Sequence, residues 1–170
     1  MSRLSDDILL LARLDVGTEM KLGSVSLAAV AAQTILDHTQ RAEARGVTLA
    51  LGGDDHTVKA TDLLAQRALA NLVENAIRHA PRDSTVDINT WRDGDRAGID
   101  VVDRGPGIPS AERARVFERF ARVDSARSRS EGGTGLGLAI TTEIMAALRG
   151  EVSLESADPG HTKFRLSFTG

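Results

Sequence analysis

The 170-residue chain has no cysteine and no tyrosine. Without cysteine there is no disulfide framework and no thiolate metal site. Aromatic residues make up 3% of the chain, too few for a base-stacking platform. An excess of basic charge is also missing. The formal net charge is -3 and the pI is near 5.8, whereas a nucleic-acid binder is normally basic. Long apolar runs are absent. The stretch 27–32 is typical, far below the roughly 18–20 residues of a membrane span, and the N-terminus lacks the charged-then-apolar layout of a signal peptide. What is present suits a globular domain with a short appendage: 41% hydrophobic and 26% charged residues, enough for one core.

The appendage comes first. In "SRLSDDILLLARLDVG" (2–17), Leu4, Ile8 and Leu11 fall on one helical stripe that Leu10 and Leu14 widen, and Gly17 is a stop signal. After a short link, "SVSLAAVAAQTILDHTQRAEARG" carries a helical period ending at Gly46. "VTLAL" (47–51) and "TVKA" (57–60) are strand candidates, and 62–80 reads as a long helix closed by Pro81. Two alternating runs flank an Asp-Gly pair in "STVDINTWRDGDRAGIDVVD", a hairpin signal. Pro106 and Pro109 break the chain, and the polar stretch after them holds one apolar knot, Val116, Phe117 and Phe120. A helix is expected over 134–148, then two strands, "EVSLES" and "TKFRLSF", around an Asp-Pro-Gly turn. The expected fold is α+β, a two-layer sandwich. A mixed sheet of about five strands packs on about three helices, with the short helix in front.

The helix "QRALANLVENAIRHAP" has two faces. At 100° per residue, Leu69, Leu72, Val73, Ala76, Ile77 and Ala80 gather on one side. Asn71, Glu74, Asn75, Arg78 and His79 gather on the other. Asn is a poor helix former, so two of them at i, i+4 offer something besides solubility. Amide oxygens suit a hard cation such as Mg²⁺, which shares its ligands with substrate phosphates. A solvated polar face is the plain alternative.

Two glycine stretches follow. In "IDVVDRGPGIP", Asp103 ends a strand and Gly105 and Gly107 follow it. This reads as a simple turn, or as an acid beside bare backbone, where Asp103 accepts from an adenine amine and the glycines let the ring lie close. In "EGGTGLGLAI", Gly132, Gly133, Gly135 and Gly137 lead into an apolar helix. Glycines there cost roughly 1 kcal/mol each against Ala inside a helix. A hinge would explain them, and so would backbone N–H groups gathered for phosphate at the positive end of a helix dipole. The spacing is neither a Walker A loop nor G-x-G-x-x-G.

Taken in order, these segments resemble the ATP-binding catalytic domain of bacterial two-component sensor histidine kinases, within the Bergerat-fold ATPases that include DNA gyrase, Hsp90 and MutL. "NLVENAIRHAP" is similar to the N box, "DRGPGIP" to the G1 box, "VFERF" to the F box and "GGTGLGLAI" to the G2 box. The resemblance implies an ATP-binding domain over 18–170, a mobile lid over about 106–134, and a segment 1–17 that ends the second helix of a dimerisation hairpin. It implies ATP and Mg²⁺ as ligands and protein-histidine kinase activity. Asn75 is then the Mg²⁺ ligand, with Asn71 near the phosphates and Glu74 as the acid that orients or deprotonates the nucleophile. Arg78 and His79 lie near phosphate and nucleotide, Asp103 reads the adenine amine, and Gly105 and Gly107 form its turn. Gly133, Thr134, Gly135, Leu136 and Gly137 form the phosphate loop. Arg119, Arg122, Arg127 and Arg129 are lid cations, with Arg119 the catalytic candidate. Phe117 and Phe120 pin the lid's small helix to the body.

The family's acceptor histidine lies in a motif resembling H-E-x-x-x-P or H-D-x-x-x-P. None of His38, His56, His79 and His161 sits in one. A kinase fragment, or a split-kinase subunit acting in trans, is therefore expected. Its partner would be a protein carrying the acceptor His on a dimerisation hairpin and, indirectly, a response regulator. No nucleic-acid partner and no membrane segment within the sequence are expected. The expected location is the cytoplasm, with tethering at the membrane through a partner or a further N-terminal part as the variant. Two rivals remain: a serine kinase of the anti-sigma type and a non-catalytic nucleotide-binding regulator.

Overall fold

The structure is a computed structural model and describes residues 21–119 and 135–169. Strand β1 (Gly23–Ser26) leads into helix α1 (Leu27–Ala44). Ser26 caps α1 by accepting the Ala29 N–H at 3.0 Å. Gly46 follows its end at φ +68°, a conformation glycine takes without strain. Then come β2 (Val47–Gly52), β3 (Thr57–Ala60) and α2 (Asp62–His79). The residue after α2, Ala80, is extended because Pro81 excludes the helical conformation before it. The hairpin β4 (Ser84–Asp93) and β5 (Arg96–Asp103) turns at Gly94, φ +58°. A single turn, α3 (Ser110–Arg113), precedes α4 (Gly137–Ala147), β6 (Glu151–Asp158) and β7 (His161–Thr169).

Five strands form one sheet in the order β2-β4-β5-β7-β6. The β2–β4 pair is parallel and the other pairs are antiparallel. α1, α2 and α4 supply the other layer, as expected for a two-layer α+β sandwich. One feature departs from expectation. The link before α1 contains β1, which pairs with β3 as a separate two-stranded sheet. "GSVS" has one apolar residue, so its strand character comes from pairing rather than from its own pattern. α4 is also shorter at its start than expected, because Gly135 at φ +70° lies outside helical space.

Period-2 alternation sorts the sheet's faces. Ile88, Val101 and Phe164 are register partners on the inner face, buried under the helices. The α2 face of Leu69, Leu72, Val73, Ala76 and Ile77 is at most 2% exposed. Each such large side chain contributes about 1.5–3 kcal/mol on burial, so this face fixes α2 and aims its polar face. The outer sheet face is polar. Asp100 there accepts two hydrogen bonds from Arg165 at 2.8 and 2.9 Å, and the Arg165 guanidinium lies 4.4 Å from the Trp91 ring centre. No helix among the described residues is long and apolar enough to cross a membrane. The N-terminal stripe Leu4–Ile8–Leu11 lies outside the described residues.

Candidate nucleotide site

The site forms where the polar face of α2, the end of β5 and the start of α4 converge. β5 ends on Asp103, whose side chain is buried. Its Oδ1 accepts the Gly105 backbone N–H at 2.7 Å, which bends the chain sharply back. Gly105 sits so close to the end of α2 that a Cβ there would lie 2.8 Å from the His79 carbonyl oxygen. The turn is also joined to the last hairpin. Gly160 N–H donates to the Gly105 carbonyl at 2.8 Å, and Ile108 N–H donates to that of Ala157 at 2.9 Å. Gly107 takes φ +79°, with the Ala157 carbonyl 2.5 Å from where a Cβ would be. Both glycines are thus demanded by close backbone approach, beyond what an ordinary turn requires.

Burial pushes the Asp103 carboxyl up to about 6, against the lowering effects of the Gly105 N–H and of nearby Arg104 and His161. A carboxylate taken out of water at some cost marks a candidate functional residue. Thr162, directly opposite Asp103 in the β5–β7 register, is buried as well. Sequence reasoning did not single out Thr162. Only the strand register reveals it, because Thr162 is remote in sequence from Asp103, its partner across the strands.

Asn71 ties α2 to α4. Its Nδ2 donates to the Gly137 carbonyl at 3.0 Å and to Thr141 Oγ1 at 3.2 Å, while the Thr141 hydroxyl donates to the same Gly137 carbonyl at 2.9 Å. The start of α4 is therefore held from the polar face of α2. Leu136, with a buried side chain, anchors that start and offers a ligand only its backbone. Gly135, Leu136 and Gly137 are thus brought beside Asn71. Asn75, one turn further on, is half-buried and makes no side-chain hydrogen bond among the described residues. Its amide oxygen is available to a ligand. Among the described residues no three His, Asp or Glu side chains cluster to hold a metal. A cation beside Asn75 would share its shell with phosphate and water, as Mg²⁺ commonly does, so the donor set fits that ion.

The other expected site residues have contacts or exposures of their own. Glu74 faces α1, with its Oε1 3.3 Å from His38 Nε2 and 3.8 Å from Arg41. Arg119 pairs with Glu143 on α4 at 3.6 Å. The Arg78 carbonyl accepts from Arg45 at 3.0 Å, and the His79 side chain is exposed. Phe117 packs edge-on against Phe164 on β7, with centroids 6.0 Å apart, which pins the segment after α3 to the sheet. Phe120, Arg122, Arg127, Arg129, Gly133 and Thr134 lie outside the described residues.

Comparison with known proteins follows the same segments. A sequence profile described as histidine kinase-, DNA gyrase B-, and HSP90-like ATPase matches residues 59–169. The sensor protein IrlS of Burkholderia pseudomallei is 41% identical over 169 residues, 99% of this chain and 36% of that protein. The probable sensor histidine kinase TcrY of Mycobacterium tuberculosis is 35% identical over 98% of this chain and 35% of its own length. The chain thus spans about a third of these relatives. Full-length ShkA, solved in complex with AMPPNP, aligns with a TM-score of 0.83 at 28% identity, over 98% of this chain and 36% of that one. The histidine kinase domain of the E. coli osmosensor EnvZ, solved by NMR, gives 0.64 at 33% identity, over 90% of this chain and 91% of that one. The profile runs from before α2 to the end of β7 and takes in each segment that builds the site, and the chain belongs to the histidine kinase-, DNA gyrase B- and HSP90-like ATPase family.

Proposed function

We propose that the chain binds Mg²⁺–ATP at this site and passes the γ-phosphoryl group to a histidine of a two-component sensor kinase, carried on another polypeptide or another part of a longer one. The observation that carries the reading is Asp103. Its buried carboxylate sits on a glycine turn packed against the end of α2, an acceptor suited to a ligand that bears an amine donor. Asp103 accepts from the amine, Thr162 supplies a hydroxyl beside it, and Gly105 lets the turn close against the end of α2. Backbone N–H groups at the start of α4 donate to phosphate oxygens, where the helix dipole favours negative charge. Asn71 holds that start in place. Asn75 offers its amide oxygen to Mg²⁺, which when bound neutralises phosphate charge. Positioning and charge neutralisation carry most of phosphoryl transfer, and these are the tasks the residues perform. In the transfer, the bond from γ-phosphorus to the bridging oxygen breaks and one to the acceptor imidazole nitrogen forms, releasing ADP and the imidazole proton.

Several features support the reading: the four ordered motifs, the relatives named as sensor kinases, and the absence of an H-E-x-x-x-P or H-D-x-x-x-P sequence from the chain. The test is incubation with γ-labelled ATP and Mg²⁺, alone and with dimerisation hairpins of candidate sensor kinases. Acid-labile label on a hairpin, and none on this chain alone, is expected. Acid-stable label on a serine would replace the histidine reading with the serine-kinase one. Label on this chain alone would contradict transfer to a separate acceptor segment.

A further inference from the structure

Outside the span matched by the family profile, α1 makes a polar contact with the helix that carries Asn71 and Asn75. His38 projects from α1 into the groove between α1 and α2, with its side chain 13% exposed. Its Nδ1 lies 2.8 Å from the Thr34 carbonyl and its Nε2 lies 3.3 Å from Glu74 Oε1. Arg41, one turn along α1, reaches the same carboxylate oxygen at 3.8 Å. A carbonyl oxygen and an ionised carboxylate can only accept hydrogen bonds. A neutral imidazole has one N–H, so it satisfies one of the two and turns a lone pair on the other. Both contacts are favourable together only when both ring nitrogens carry protons.

We propose that His38 is a positioning residue for the nucleotide site. As an imidazolium bridging the Thr34 carbonyl and the Glu74 carboxylate, it works with Arg41 to hold Glu74 against α1 and fix the flank of α2 beside Asn75. The inference rests on the nucleotide reading above and adds to it a residue that no box of the family supplies. It also changes what Glu74 does. Its Oε1 is turned towards α1, which gives Glu74 a part in orienting the helix face, and protonation of His38 strengthens that hold.

The surroundings agree with this. The Glu74 hydrogen bond raises the ring above its ordinary value of 6.5, the Thr34 carbonyl adds to this, and burial opposes both. Glu74 from α2 and Asp37 from α1 both act to raise the ring, and Arg41 from α1 lies beside the same Glu74 oxygen. A group raised in the folded state contributes stability that is fully present below its unfolded value and is lost as pH rises through the folded one. The clasp is therefore complete below about pH 6.5 and weakens above the raised value, where the single N–H of the neutral ring serves only one of the two acceptors. If the ring merely filled space between two helices, none of this would reach the nucleotide.

The test uses the intact chain. The four imidazoles are titrated by NMR, with His38 assigned from its disappearance in His38→Phe, and the titration is repeated in Glu74→Gln. Calorimetry with Mg²⁺–AMPPNP then follows affinity with pH in the wild type, His38→Arg and His38→Phe. The His38 midpoint should lie above that of a free imidazole and fall back in Glu74→Gln. Wild-type affinity should weaken about fivefold or more across the His38 titration. His38→Arg, a permanent donor, should remove that pH dependence and keep tight binding. His38→Phe, which fills the groove without a donor, should bind weakly at every pH while unfolding cooperatively. An unchanged midpoint in Glu74→Gln overturns the proposal, as does wild-type affinity and pH dependence in His38→Phe. A wild type that binds no nucleotide at any pH, with the Glu74-dependent titration intact, would contradict the proposed function and overturn the site role of His38 with it.

Discussion

Asp103 sets two demands against each other. Its carboxyl titrates at about 6 in the folded chain, against an ordinary value of 3.8. Because the folded value is raised, the stabilising contribution of the protonated acid is complete below about pH 4 and is lost as pH rises to about pH 6. Keeping the group ionised at neutral pH costs the fold about 3 kcal/mol. Asp103→Asn keeps an oxygen for the Gly105 N–H and removes that cost. It should stabilise the chain at about pH 7.5 by up to about 3 kcal/mol, and the gain should shrink towards zero near pH 4 in denaturant unfolding. The same variant turns an amide N–H towards the adenine amine and should weaken ATP binding at least about tenfold, since an unmatched polar pair costs 1–3 kcal/mol or so. Stabilisation with unchanged affinity would remove Asp103 from the site. Asn71 and Asn75 are legible in the sequence because Asn is a poor helix former, whereas Asp103, an ordinary turn residue on its own, is legible only through the ordered motifs around it. Thr162 and His38 are not legible. A buried threonine in a strand and a histidine in a helix look unremarkable until strand register and helix packing put them opposite Asp103 and Glu74.

At the scale of elements, the glycine turn and the last hairpin behave as one unit. Their joining bonds, Gly160 to Gly105 and Ile108 to Ala157, run between backbones, so residue identity matters through the room it leaves. Gly107→Ala would put a Cβ 2.5 Å from the Ala157 carbonyl at a φ of +79°. Such strain is typically worth about 1–3 kcal/mol, and chemical denaturation should show that loss, together with weaker nucleotide binding as the turn shifts. A Gly107→Ala variant of wild-type stability would mean that the two segments are not joined as described. Helix periodicity and the Asp-Gly hairpin announced the long elements, because burial on one face leaves a period in the chain. β1 left no such trace, since its strand character is borrowed from β3. The leading stripe Leu4–Ile8–Leu11 we assign by proposal to a docking surface for the hairpin partner. Ile8→Pro should break a helix there, at about 3 kcal/mol for an interior proline. It should lower partner affinity in pull-down or calorimetry and leave ATP affinity within error. Equal partner binding by the variant would remove that role.

For the whole molecule, the layout explains why so few side chains are needed. The two-layer sandwich fixes α2 by its apolar face, so its polar face looks across to the end of β5 and the start of α4. Asn71 then couples α2 to α4, and the β6–β7 hairpin supports the glycine turn after β5 through backbone bonds. The central claim is that this arrangement holds Mg²⁺–ATP through Asn75 and Asp103. Calorimetric titration of the intact chain with AMPPNP, with and without Mg²⁺, tests it most directly. One nucleotide per chain is expected in the presence of Mg²⁺. Asn75→Ala should lose most of the Mg²⁺-dependent affinity while its cooperative unfolding is unchanged. Wild-type heats indistinguishable from dilution, or an Asn75→Ala variant that binds Mg²⁺–AMPPNP as tightly as the wild type, would contradict it.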